Sequence, residues 1–350
     1  MAAQTAATET DLTGILLCAG NPLLDISAEV PMTVLEKYGV SPNSAILAEE
    51  QHQPLFKELV DDYAVKYIAG GATQNSCRVC QWMTGTPGAT SYFGCIGDDA
   101  FGKQMTDEAA AIGMNVQYLV DPEQVTGTCA VLVDPTGERS LVTNLAAANH
   151  FKATHLADAA QASVIEKAKY YYMAGFFLTV SLESIETIGR HAVEQKKLVM
   201  MNLSAPFIVQ FFWDQLNAAM PYVDIMFGNE SEAEAFGEKM GWGTDIAVIA
   251  QGISALPKAS GFRGRTVIIT QGKDATIVAK DGEVMTFPVT VLPKEKLVDT
   301  NGAGDAFVGG FMSQLIKGEP LAKCVDAGHW ASTVIIQESG CTYPAECTYA

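Results

Sequence analysis

From about residue 150 onward, short apolar runs alternate with amphipathic stretches. AKYYYMAGFF, KLVMMNLS and YVDIMFG are apolar runs of strand length, whereas SLESIETIGRHAVEQ, a segment from Phe207, and SEAEAFGEKM carry helical patterning. The succession predicts βα units. Parallel strands need crossover connections, and right-handed crossovers lay helices on both faces of a central parallel sheet. Such sheets collect ligands at the carboxyl ends of their strands. Two stretches break the alternation. ILLCAGNPLLDISAEV runs from a buried strand through a Gly-Asn-Pro turn into an alternating strand, and GTCAVLVDPTGERSLVTNL reads as two strands about a turn at Pro135-Thr136-Gly137. Both predict antiparallel strands, and pairing the two insertions into one small sheet makes a lid over the strand ends. The expected architecture is α/β. A central, mostly parallel sheet with helices on both faces takes residues 1–22, 70–124 and 146–350, and a small discontinuous antiparallel β lid takes 23–69 and 125–145.

Composition narrows the function classes. A chain of 350 residues with 48% hydrophobic and 18% charged positions can bury a sizeable core and is not disordered. With 40 acidic against 22 basic residues the net charge is -18, which repels a nucleic-acid backbone or an anionic leaflet. Neither nucleic acid nor membrane is an expected partner. No apolar stretch reaches the roughly 20 residues of a membrane span, and residues 1–12 lack both a secretory core and transit-peptide arginines. They read as a frayed tail on a cytoplasmic protein. Eight scattered cysteines suit reduced thiols, and Cys77-Arg-Val-Cys80 falls in a helical segment as buried cysteines rather than a zinc or redox pair.

The strongest chemical signal is LVDTNGAGDAFVGGFMSQL, residues 297–315. Asp299 to Asn301 is turn chemistry, Gly302-Ala303-Gly304 admits close approach of a ligand to the backbone, and an apolar helix follows. Unpaired N–H groups at a helix start, with about half a positive charge from the macrodipole, form an anion hole. Asp305 stands in that field, which favours its ionised form and makes it a candidate base for a hydroxyl attacking phosphorus. The clustering of Gly302, Gly304, Gly309 and Gly310 around one acid exceeds what capping requires. The segment is neither a Walker A loop, since no Lys-Ser/Thr follows, nor a GxGxxG fingerprint, since Phe307 takes the third glycine place.

DTNGAGDAFVGG resembles the second signature of the ribokinase-like (PfkB) kinase family, and AGGATQNS (69–76) resembles the first. The likeness is greatest to the adenosine kinases of that family. It runs through GNPLLDIS (20–27), FGCIGDDAFG (93–102), TGTCAVLV, NLAAAN (144–149), AGFFLTVS (174–181), NLSAPF (202–207), DIMFGNESEA (224–233), TQGKD (270–274) and AGHW (327–330). What the resemblance implies is a ribokinase-like fold and transfer of the γ-phosphoryl of ATP to the 5'-hydroxyl of adenosine, a purine-salvage reaction, by a monomeric enzyme using Mg2+.

The resemblance also assigns residues. Asp305 falls on the family's base, with Gly302, Ala303 and Gly304 as its anion hole. Asn21, Asp25, Gly70, Gly71, Asn75 and Asn301 fall around the ribose. A vicinal diol offers two donors and two acceptors, which a carboxylate with amides can match. Leu23, Cys129, Leu141, Leu145 and Phe177 fall around the adenine. Asn229 and Glu232 fall where magnesium and its waters sit, although the same pair also fits a reciprocal helix cap. Thr270, Gln271, Gly272 and His329 fall beside the base and ribose of ATP, and Arg139 of the lid hairpin falls on an arginine that reaches the phosphates. Ala72 departs from the pattern, standing where many relatives carry serine.

Overall fold

The computed structural model describes residues 11–42 and 44–350. Its main sheet has nine strands, in the order Glu283–Phe287, Asp274–Lys280, Thr266–Gln271, Ile225–Asn229, Leu198–Asn202, Tyr170–Ala174, Leu16–Ala19, Thr90–Phe93 and Asn115–Val116. From Thr266–Gln271 to Asn115–Val116 every neighbouring pair is parallel, and an antiparallel hairpin closes the other edge.

Alternate residues along these strands feed two cores, because successive side chains leave a strand on opposite faces. Leu17, Tyr171, Met173, Val199, Met201, Met226, Val267 and Ile269 pack against Ile185, Ile188, Leu216, Phe236 and Ile253. Leu16, Cys18, Tyr172, Met200, Phe227 and Ile268 pack against Cys77, Cys80, Phe307, Val308 and Phe311 on the other side. Helix Leu182–Glu194 shows why its sequence folds as it does: Ile185, Ile188, Gly189 and Ala192 make a buried stripe at helical spacing. Helix Ala303–Leu315 is buried continuously from Ala306 to Gln314. It packs closely because a Cβ on Gly309 would stand 2.6 Å from Ser76 O, and one on Gly310 2.4 Å from Ala327 O. These two glycines therefore serve helix packing, not the anion turn to which the sequence pattern had joined them.

The second sheet has five strands, in the order Ala45–Leu47, Arg139–Asn144, Thr128–Val133, Leu23–Glu29 and Lys66–Gly70. Each insertion supplies an antiparallel pair, as its turn chemistry predicts. Where the insertions meet, Leu23–Glu29 runs parallel to Thr128–Val133, and Ala45–Leu47 joins parallel to Arg139–Asn144. Ile26, Ala28, Ala130, Leu132 and Val142 face outward under Val34, Leu35, Leu55 and Leu59 of two covering helices. Leu23, Cys129 and Val131, with Leu141 and Leu145, form a smaller apolar patch on the inner face.

Of the expected frayed tail, residues 1–10 lie outside the described residues. Its end departs from the expectation, because Leu12 is buried in the same core as Ile15 and Leu16. All eight cysteines are free thiols, and Cys77 and Cys80 sit buried in helix Ala72–Thr84.

Candidate active site

A cleft of about 450 Å³ lies between the inner face of the small sheet and the carboxyl ends of the parallel strands. Four consecutive strands of the main sheet deliver residues to it. Leu16–Ala19 leads to Asn21, Tyr170–Ala174 to Phe176, Leu198–Asn202 to Asn202 and Ser204, and Ile225–Asn229 to Asn229 and Glu232. Strand Leu16–Ala19 is where the sheet reverses its order, since its two neighbours, Thr90–Phe93 and Tyr170–Ala174, both come later in the chain and lie on opposite sides of it in the sheet. From above come alternate residues of the small sheet: Leu23, Asp25 and Ser27; Cys129 and Val131; Arg139, Leu141 and Thr143.

Two backbone approaches shape the floor. Gly71, with φ +92°, precedes helix Ala72–Thr84, and a Cβ there would stand 2.3 Å from the carbonyl oxygen of Asn21. A Cβ on Gly70 would lie about as close to the carboxylate of Asp25, so Gly70 backs the site without lining it. Asn75, on the first turn of that helix, donates from Nδ2 to Asp305 Oδ2 at 3.0 Å. Asn21 Nδ2 reaches Phe176 O at 3.3 Å. The amide oxygens of both asparagines are buried with no partner in the protein, and both side chains line the cleft. Two unsatisfied acceptors in one cleft are costly unless a ligand supplies the donors.

The anion turn closes the far end. Gly302, with φ +80°, starts helix Ala303–Leu315, and Asp305 lies in its first turn. A Cβ on Gly304 would meet nothing within 4 Å, so that residue opens directly onto the cleft. Ala303 is turned away: its N–H donates to Thr300 O at 3.3 Å and its carbonyl accepts from Ser332 Oγ at 2.7 Å. Asn301 lines the cleft beside it.

Asp305 faces the cavity and is half-buried. Burial pushes its carboxyl up to about 7, opposed only in part by the Asn75 hydrogen bond. The helix field alone predicts an easily ionised acid; the loss of water overrides it here. Burial, reinforced by the charge of Asp305, likewise pushes Asp25 up to about 7, against a weaker pull from Arg78. Glu232 also rises to about 7 by burial.

Several expected site residues stand elsewhere. Phe177 is fully buried in the main core, edge-on to Phe151 at 5.4 Å, and the cleft wall belongs to its neighbour Phe176, which pairs with Phe207 at 5.9 Å. Asn229 and Glu232 form the reciprocal cap of helix Glu230–Met240: Asn229 Oδ1 accepts from Glu232 N at 2.9 Å and Glu232 Oε2 from Asn229 N at 3.0 Å. Both still face the cleft. Thr270, Gln271 and Gly272 lie outside it at the end of the next strand along the sheet, and His329 lies outside it on helix Leu321–Ile335. His329 Nε2 is 2.8 Å from Thr276 Oγ1, and burial pushes its pKa down. Arg139 is not the solvated arginine usual on a hairpin. It is 7% exposed, with Nε 2.9 Å from Asp299 Oδ1, too poorly aligned for a hydrogen bond, and Nη2 donating to Ser339 Oγ at 3.2 Å.

The sequence pattern did not mark Phe176, Asn202, Ser204 or Cys341 as site residues, and it read Asp299 only as turn chemistry. Asn202 and Ser204 could have been found from their place at the end of the run KLVMMN, where a parallel strand presents ligands-in-waiting. Ser204 adopts φ +72°, unusual for a non-glycine, and its Oγ accepts from Gly175 N at 2.8 Å.

The model of the pfkB family of carbohydrate kinases matches residues 32–347. The chain is 56% identical to adenosine kinase 2 of Arabidopsis thaliana, with 97% of this chain and 98% of that protein covered. It is 44% identical to the adenosine kinase of Dictyostelium discoideum, covering 94% and 96%. Among solved structures, Anopheles gambiae adenosine kinase in complex with a di(adenosine-5) tetraphosphate superposes with a TM-score of 0.93 at 47% identity, covering 96% of this chain and 99% of that one. Schistosoma mansoni adenosine kinase with adenosine and AMP gives 0.90 at 37%, covering 96% and 99%. Helices on both faces of a parallel sheet and a small sheet above its strand ends are thus an architecture shared with proteins similar along nearly their whole length, and the chain belongs to the pfkB family of carbohydrate kinases.

Proposed function

We propose that the protein is an ATP:adenosine 5'-phosphotransferase. The observation that carries this reading is the meeting, in one cleft, of an apolar wall, two unpartnered amide acceptors and a half-buried acid at a helix start. Phe176, Leu23, Cys129, Leu141 and Leu145 suit a flat heterocycle, whereas a simple sugar needs polar groups all round. Asn21, Asn75 and Asp25 grip the ribose diol. The 5'-hydroxyl then lies toward Asp305, which accepts its proton as the γ-phosphoryl of ATP arrives in line. The N–H groups around Gly302 and Gly304 take up the developing charge. The similarity to proteins named adenosine kinases supports the choice of nucleoside, and returning adenosine to the nucleotide pool is a purine-salvage reaction.

Five-stranded sheet and main sheet act here as lid and body, divided at residues 23–69 and 125–145. Magnesium fits as a companion of ATP and not as a resident ion. No cluster of three or more His, Cys, Asp or Glu side chains capable of holding a metal occurs among the described residues. Asn229 and Glu232, fixed by their reciprocal cap, present polar atoms that would hold the ion's waters. When bound, magnesium supplies neutralising charge on the phosphates.

A substrate panel tests the reading. Adenosine should exceed free ribose in kcat/KM by at least about tenfold, because the sugar forfeits burial of the base. Ribose or fructose turned over as well as adenosine would make the protein a sugar kinase on the same fold.

No described helix is long and apolar enough to cross a membrane. Free buried thiols favour the cytoplasm. The lid's outer strand, Ala45–Leu47, is only three residues long, and Lys66 stands exposed on the opposite edge, features that discourage edge pairing. The protein is accordingly a monomer, and light scattering should return 37.3 kDa. A mass of twice that refutes it.

A further inference from the structure

Asp299, immediately before the anion turn, is 4% exposed and touches three separate parts of the molecule. Its Oδ1 accepts from Asn301 N at 2.9 Å, which shapes the turn. Its Oδ2 accepts from Gly340 N at 2.7 Å, in the segment that follows the last long helix. Arg139, from lid strand Arg139–Asn144, brings Nε within 2.9 Å of Oδ1 and extends Nη2 to Ser339 of that same segment. Cys341 packs behind the turn, 3.2 Å from the place a Cβ would take on Gly302.

We propose that Asp299 is a positioning residue, tying the lid through Arg139 to the anion turn so that nucleoside capture and phosphate binding strengthen one another. This rests on the assignment of adenosine and ATP to the cleft. A carboxylate that only shaped the turn would need the Asn301 contact alone. The two further contacts bind the same carboxylate to the lid and to the segment behind the turn. A buried ion pair adds little net stability, because desolvation offsets its attraction, but losing one partner strands the other charge without water. Moving the lid away draws Arg139 from Asp299 and leaves that carboxylate holding the turn without its counter-charge. Lid position and turn geometry therefore share one free energy, and ligands that bind each must be coupled reciprocally. Arg139 acts in this scheme through Asp299, rather than as a free arm that reaches the phosphates.

Calorimetry with a non-hydrolysable ATP analogue and magnesium, with and without saturating adenosine, measures that coupling. In the parent protein adenosine should tighten the analogue by about fivefold or more. Asp299→Asn and Arg139→Gln should each reduce the effect to less than about twofold, and the double variant should lose no more than either single one, since both interrupt one path. The double variant buries no unpaired charge, so the measurement survives if a single variant misfolds. Variants that retain the parental coupling, or a parent that binds both ligands without coupling, overturn the proposal while leaving the substrate assignment intact. A parent that binds neither ligand removes the assignment and the proposal together.

Discussion

Asp305→Asn should lower kcat by roughly 10²-fold or more, while adenosine affinity measured without ATP stays within a few-fold of the parent. The amide keeps the shape and can still meet Asn75, so the loss isolates the proton acceptor. Burial adds a pH dependence to the same group. Its carboxyl is raised from 3.8 to about 7, and only the ionised form can accept the proton of the 5'-hydroxyl. Activity must then fall as pH drops below about 7 and level off above it. Asp25, raised to about 7 and made more so by the charge of Asp305, titrates in the same range, with Arg78 and Arg139 opposing its rise. The acidic limb of kcat/KM thus belongs to the interacting carboxylates of the free enzyme and not to one of them. A profile flat between about pH 5.5 and 8 would mean that neither acid is the base, as would an asparagine variant retaining more than about a tenth of the activity.

The parallel sheet was legible because its strands are buried on both faces and therefore read as unbroken apolar runs, with helical stripes between them. The inner face of the lid was legible for the complementary reason: alternation along Leu23, Asp25 and Ser27 survives in sequence. Other features depend on contacts that no local pattern records. Phe176 and Phe177 are neighbours in a 3-10 turn, Gly175–Thr179, where neither strand nor helix period says which ring faces the cleft. The glycines at 309 and 310 look like a continuation of the anion turn until the helices against which they pack are known. Arg139 meets a carboxylate 160 positions away, so its hairpin setting alone suggests a solvated side chain. For Asp305 the local helix field and the global burial act in opposite directions, and only the first is visible in the sequence.

Gly71→Ala should weaken adenosine binding by about 30-fold or more while the protein remains folded, because strain of about 1–3 kcal/mol and a clash fall on the same residue. Gly71 holds φ +92°, a conformation L side chains rarely adopt, and its new Cβ would press to 2.3 Å from the backbone oxygen of Asn21. Backbone cannot swing aside as the end of a flexible side chain does. Relief must come from moving Asn21, whose partnerless Oδ1 is one of the two acceptors offered to the diol, or from moving the start of the helix that carries the other, Asn75. Either movement spoils the pair. Gly39→Ala is the control for backbone strain, since Gly39 has φ +66° at the end of helix Met32–Tyr38 and nothing within 4 Å of an added Cβ. That variant should lose thermal stability with adenosine affinity unchanged. Equal losses of affinity in the two variants would trace the effect to general loosening of the fold. A Gly71→Ala protein that binds adenosine as tightly as its parent would show that Asn21 and Asn75 do not together hold the ribose.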